Sequence, residues 1–307
     1  MKQAPHISPR SSAARVAAVA VALCLVLALA YWASALRSRV VYQGESDFGR
    51  VWVTERADGL RSLYMGEGRA RQSAVYPGRP GHLEFAYTRV AMVGLALTPS
   101  DARILFVGLG GGAMPMYVRQ VLPDAHIEVV ELDPLIVDLA RRYFGFRPDS
   151  QLVVHTGDGR AFIEQAPSGS YDLIVLDAFS DDYIPYALTT RQFLEAVRAR
   201  LTRGGVVVSN LWTASGEYAP MLATYNAVFD QVHLIDVGRG TQRVLIAGSE
   251  LRPLDRSTLL EASRVLARRV DLGFNLPALV ERGYERPPEL NAPVLEDPFR
   301  ESAVVPR

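Results

Sequence analysis

The sequence predicts an α/β fold, a largely parallel sheet with helices on both faces. Three observations carry this. Between 103 and 248, five short apolar runs alternate with stretches of helical period. Those runs are apolar at nearly every position rather than every second one, as strands buried on both faces are. The first run leads straight into Gly108-Leu109-Gly110-Gly111-Gly112-Ala113, a glycine turn that opens a helix.

The elements follow in order. Residues 1–15 are a polar tail. Val16–Leu36 is uncharged, with Lys2, Arg10 and Arg15 before it and Arg37 and Arg39 after. As a helix its 21 residues would span about 31 Å, enough for a bilayer core. It reads as a transmembrane anchor, with a signal peptide cleaved near Ala33-Ser34-Ala35 as the rival. Basic residues on both flanks leave its orientation open. Residues 37–50 read as a polar linker. Val51–Glu55 and Arg61–Met65 alternate around Ala57-Asp58-Gly59, a hairpin pattern. A Pro/Gly loop follows, then a helix over Glu84–Leu97. Residues 45–100 thus form a small β-rich subdomain.

In the main α/β domain, 101–250, the strands are Ile104–Val107, Ile127–Val130, Leu152–Val154, Leu173–Leu176 and Val206–Ser209. Helices fall at 113–121, 134–143, 159–165, 190–202 and 217–228. His233–Val237 and Arg243–Ala247 are close enough to form an antiparallel pair. The extension 251–307 carries a helix near 257–270 and a Pro-rich end.

Composition excludes several chemistries. The 307 residues include 33 Lys+Arg and 33 Asp+Glu, so no net charge draws the chain to nucleic acid. Lys2 is the only lysine, which removes Schiff-base and Walker-type phosphate chemistry from the folded part. Cys24 is the only cysteine, and five scattered histidines show no ligand spacing. A Cys-based zinc site and a thiol nucleophile are thereby excluded, and no metal is expected.

The chemistry-bearing residues sit at strand ends. The turn Gly108, Gly110, Gly112 fits a nucleotide-binding GxGxxA pattern or a plain tight turn. Glu131 closes the second strand, placed to accept from both hydroxyls of an adenosine ribose. Asp158, in Gly157-Asp158-Gly159, follows the third and either accepts from an adenine amino group or caps the next helix. Asp177 ends the fourth strand, in LIVLDAFSDDYIP, where open α/β sheets bind ligands. A carboxylate there could orient an amine and take its proton. Asp181, Asp182, Tyr183 and Tyr186 follow, an acidic and aromatic loop suited to a cationic amine.

Taken as a set, the glycine turn, Glu131-Leu132-Asp133, Gly157-Asp158-Gly159 and the segment from Asp177 resemble the spermidine synthase (polyamine aminopropyltransferase) family, as do the hairpin and Glu84-Phe85-Ala86-Tyr87. The resemblance covers about 46–250. It implies the seven-stranded Rossmann-like sheet of S-adenosylmethionine-dependent methyltransferases behind a small N-terminal β-subdomain. It implies that Glu131 holds the ribose hydroxyls and Asp158 the adenine amino group, that Asp177 is the acid–base residue, and that Tyr87 lines the boundary between donor and acceptor; Gly108, Gly110, Gly112 and Gly159 are expected beside the nucleoside, and Asp181 and Tyr183 beside the amine. The co-substrate implied is decarboxylated S-adenosylmethionine, with an amine such as putrescine as acceptor. Several positions depart from the family pattern; the second acidic residue of its loop after Asp177 aligns with Ser180, or with Asp181 after a one-residue slip. Gly111 stands where an Asp holds the donor's amine. Thr88-Arg89 replaces a His/Gln-Glu pair, so Arg89 would repel a diamine and attract a carboxylate. The family's ligand-facing Gln has Gln43 as its nearest counterpart.

Those departures keep two alternatives alive: a methyltransferase using intact S-adenosylmethionine, and a non-catalytic nucleoside-binding protein on the same fold. A nicotinamide oxidoreductase leaves Asp158 and Asp177 without a role. The expected partners are a small-molecule amine, the membrane through 16–36, and no nucleic acid; a homodimer is left open. The expected location is membrane-anchored with a cytoplasmic catalytic domain, export after signal cleavage being the alternative.

Overall fold

In the computed structural model, which describes residues 17–24, 38–67, 70–179, 183–238, 240–249, 253–288 and 291–298, the chain forms two sheets of unequal size. The first is antiparallel, in the order β1 (Ser38–Ser46), β2 (Gly49–Arg56), β3 (Arg61–Met65) and β4 (Ala70–Val75). The segment read as a linker is therefore mostly strand β1, paired with β2 from Ser38↔Arg56 to Ser46↔Gly49. Its alternation was weak because much of it is exposed. The hairpin around Asp58-Gly59 forms as expected: Gly59 takes a positive φ of 87°, and Asp58 accepts from the Leu60 amide at 3.2 Å.

After α2 (Ala86–Ala91) and a 3₁₀ turn (Met92–Leu97) comes the larger sheet. Its parallel strands are β5 (Arg103–Val107), β6 (His126–Glu131), β7 (Leu152–Thr156), β8 (Tyr171–Leu176) and β9 (Leu201–Trp212). Helices α3 (Ala113–Val121), α4 (Pro134–Tyr143), α5 (Gly159–Gln165) and α6 (Arg191–Arg200) connect them, and α7 (Tyr218–Val228) leads out of β9. The antiparallel pair is β10 (Gln231–Asp236) and β11 (Gln242–Gly248), with β11 seated against β9. After α8 (Arg256–Arg269) and α9 (Leu276–Gly283), a two-residue strand β12 (Tyr284–Glu285) pairs with β10. The sheet thus has eight strands rather than seven, in the order β12-β10-β11-β9-β8-β5-β6-β7. Helix α9 lies in a stretch read only as a Pro-rich end; Pro277 sits in its first turn, where it costs no hydrogen bond.

The central strand shows why its own apolar run is unbroken. Ile104 and Phe106 face one core with the 3₁₀ turn, α3 and α8; Leu105 and Val107 face the other with α5, α6 and α7. All four are at most 2% exposed, each burial contributing roughly 1.5–3 kcal/mol. A third cluster joins Val51, Val53, Leu63 and Val75 of the small sheet to Ile136, Leu139 and Phe144 around α4. That contact fixes the small sheet beside the carboxyl ends of the parallel strands.

Of the uncharged run 16–36, residues 17–24 are described; they form an exposed helix, α1. Among the described residues no helix is long and apolar enough to cross a membrane. The rest of the expected anchor, and Ala33-Ser34-Ala35, lie outside the described residues.

Candidate active site

From β5 the chain winds to β6 and β7 on one side, then returns to β8 and β9 on the other. Order reverses between β5 and β8, and such a switch point opens a crevice at the strands' carboxyl ends. A cavity of about 500 Å³ lies there, closed on its far side by β4 and α2.

Glycines set the floor. Gly108 leaves β5 at φ 100°, and a Cβ there would lie 2.5 Å from the Asp177 carbonyl oxygen. No other residue fits that crossing of two chains. Glu131 organises the turn. One carboxylate oxygen accepts from the Leu109 amide at 2.9 Å, the other from Asp133 at 3.0 Å. Burial pushes its pKa up, with Asp133 adding repulsion, while these amides pull it down. Asp133 caps α4 by accepting from Leu135 at 2.8 Å, and its other oxygen is buried without a partner. Asp158 lines the cavity and also caps α5, accepting from Ala161 at 2.7 Å.

Asp177 projects from the end of β8. Its two oxygens accept from the Tyr87 hydroxyl at 2.9 Å and from Asn210 Nδ2 at 3.3 Å. Burial pushes its pKa up to about 7, against the pull of those two donors. Tyr87 is held protonated, its pKa raised well above the ordinary value by burial and by the Asp177 carboxylate. Asn210 is 5% exposed, and its Oδ1 has no partner.

Tyr87, Gly108, Gly110, Glu131, Asp158, Gly159 and Asp177 therefore share one cavity. Other expected residues do not join them. Gly112 starts α3 at φ 77°, and a Cβ there would meet the Phe146 ring at 2.6 Å, so its glycine serves packing. Arg89, in the last turn of α2, does not line the cavity; the buried Thr88 beside it does. Tyr183 is 53% exposed and is not part of the lining. Asp181 lies outside the described residues. Gln43 is exposed on β1, whereas Gln72 of β4 lines the cavity.

Gln72, Arg71, Asn210, Trp212 and Gln242 are lining residues the sequence reading missed. Asn210 was legible in principle. The parallel register pairs Leu176 with Ser209, so the next residues along, Asp177 and Asn210, emerge side by side. Ending the strand at Ser209 hid this.

The spermine/spermidine synthase domain matches residues 84–234. The polyamine aminopropyltransferase of Vibrio vulnificus is 35% identical over 201 residues, 64% of this chain and 67% of that protein. A probable spermidine synthase from Corynebacterium glutamicum superposes with a TM-score of 0.68 at 22% identity, over 86% of this chain and 99% of that one. Human methyltransferase-like protein 13, solved in complex with SAH, superposes at 0.55 with 29% identity, over 62% of this chain and 93% of that one.

Proposed function

The chain belongs to the spermine/spermidine synthase family, and on that premise we propose that it transfers an aminopropyl group from decarboxylated S-adenosylmethionine to an amine such as putrescine. The observation that carries this reading is the Asp177 carboxylate. It is desolvated, held by Tyr87 and Asn210, and lines the same cavity as the glycine turn and Glu131.

The residues fit a nucleoside. Gly108 and Gly110 bring backbone close to the ligand, Glu131 accepts from the ribose hydroxyls, and Asp158 accepts from the adenine amino group while still capping α5. The acceptor amine donates to Asp177. Asp177, with its pKa near 7, takes a proton from the ammonium. The freed nitrogen lone pair bonds the carbon beside the sulfonium. The carbon–sulfur bond breaks, its electrons staying on sulfur as a neutral thioether. The protein's part is alignment and proton removal.

A methyltransferase is the second reading, favoured by the human relative solved with SAH. Calorimetric titration of the full chain with S-adenosylmethionine and its decarboxylated form, then mass spectrometry of products formed with putrescine, separates the two. An aminopropyl adduct supports transfer of that group, a methyl adduct supports the second reading, and binding of neither nucleoside refutes both. Anchoring through 16–36 with a cytoplasmic catalytic domain is part of the proposal, supported by the uncharged run; a C-terminal reporter fusion tests it.

A further inference from the structure

Strand β4 meets the cavity unusually. A regular strand offers alternate side chains to one side, yet Arg71, Gln72, Ser73 and Ala74 all line the cavity. The ladder explains it: Leu63 pairs with Ser73 and Tyr64 with Arg71, so Gln72 is an extra residue, a bulge. The bulge re-aims the strand and adds Arg71 to the lining.

Arg71 is the only cation among the described lining residues, whose other charges are Glu131, Asp133, Asp158 and Asp177. It makes no ion pair among the described residues. Its guanidinium lies 4.6 Å from the centroid of the Phe85 ring. Phe85 stacks on Tyr87 at 5.8 Å, and Tyr87 donates to Asp177. A continuous side-chain path thus joins Arg71 to the reacting centre. On the glycine turn, a Cβ at Gly111 would fall 2.9 Å from both Ser73 Oγ and the Phe144 ring. The room a side chain would need is already filled, so no carboxylate can project there to hold a ligand ammonium.

We infer that Arg71 is the binding site for a ligand carboxylate, so that the cavity selects a substrate ending in an α-amino acid head group over its decarboxylated counterpart. The guanidinium fork matches a carboxylate bidentately, and the Phe85 ring beneath this exposed side chain braces the fork from one side. This rests on the nucleoside site proposed above and goes beyond it: the carboxylated counterpart takes the place of either the decarboxylated donor or the putrescine named there. The carboxylate belongs either to the donor, as in intact S-adenosylmethionine, or to the acceptor, as in a diamine carrying a carboxylate.

The test uses the full chain and Arg71→Gln. In the donor arm, S-adenosylmethionine, its decarboxylated form and methylthioadenosine, which lacks the whole head group, are titrated calorimetrically. In the acceptor arm, ornithine and putrescine compete as acceptors, with products read by mass spectrometry. The expected result is a preference of about tenfold or more for the carboxylated member in one arm. It collapses in Arg71→Gln while methylthioadenosine affinity stays within about twofold, which also shows that the variant folds. Absence of a preference in both arms, or a preference that survives Arg71→Gln, overturns the inference and leaves the nucleoside reading standing. Failure of all three nucleosides to bind overturns that reading and this inference with it.

Discussion

The two halves of the cavity are built on different principles. The half formed by the glycine turn, Glu131 and Asp158 is held by backbone: Glu131 binds the Leu109 and Asp133 amides, and Asp158 binds that of Ala161. Its parts come from successive strand ends, each a short walk along the chain. The half formed by Arg71, Phe85, Tyr87, Asp177 and Asn210 is held by side chains, from β4, the start of α2 and the ends of β8 and β9. A backbone-held site changes only with the fold. A side-chain-held site can be revised one residue at a time, and there Arg71 places a cation where a diamine would be repelled.

The sharpest way to break this comparison is Asp177→Asn. Loss of the base lowers kcat by about 10²–10⁴-fold, while nucleoside affinity by calorimetry stays within about twofold. If affinity falls as far as turnover, the halves are not separable. Glu131→Gln should do the converse. It weakens nucleoside binding about tenfold or more, since the amides lose a charged acceptor along with the ligand, and putrescine KM moves less. Comparable loss of both would merge the two halves.

The pH dependence gives a finer test. Asp177 must be ionised to accept a proton, so kcat/KM rises with pH through about 7. Tyr87→Phe removes a donor that favours the carboxylate, so the rise moves upward, by roughly half to one pH unit. A downward move would show that the hydroxyl does not stabilise the charged form. The smallest effect is on stability. A carboxyl with a raised folded-state pKa contributes stability at low pH that is lost as pH climbs through that value. Asp177→Asn should therefore raise Tm more at pH 8.5 than at pH 5, because the loss accumulates between the unfolded value of 3.8 and about 7. An equal change at both would remove burial as the cause of the shift. Such a gain at the expense of activity is common for functional carboxylates.

Some of this was fixed by local sequence. The runs of β5 and β8 are apolar throughout because both faces of the sheet are covered there. Glu131, Asp158 and Asp177 were legible because an ionisable residue after such a run marks the strand's end and the sheet's open edge. Other features were decided only in three dimensions. The bulge at Gln72 has no sequence signature in ARQSAV. Strand β1 has too much exposed surface to alternate cleanly, and Asn210 gains meaning only from the register that sets it beside Asp177. Arg71 and Arg89 are equally charged, and only the folded chain puts the first in the cavity and the second outside it. Hydrophobic period is a property of neighbours along the chain, so it specifies strands, helices and their ends. The company a side chain keeps across a cavity depends on register, bulges and the docking of one sheet on another, which are set by contacts far apart in sequence.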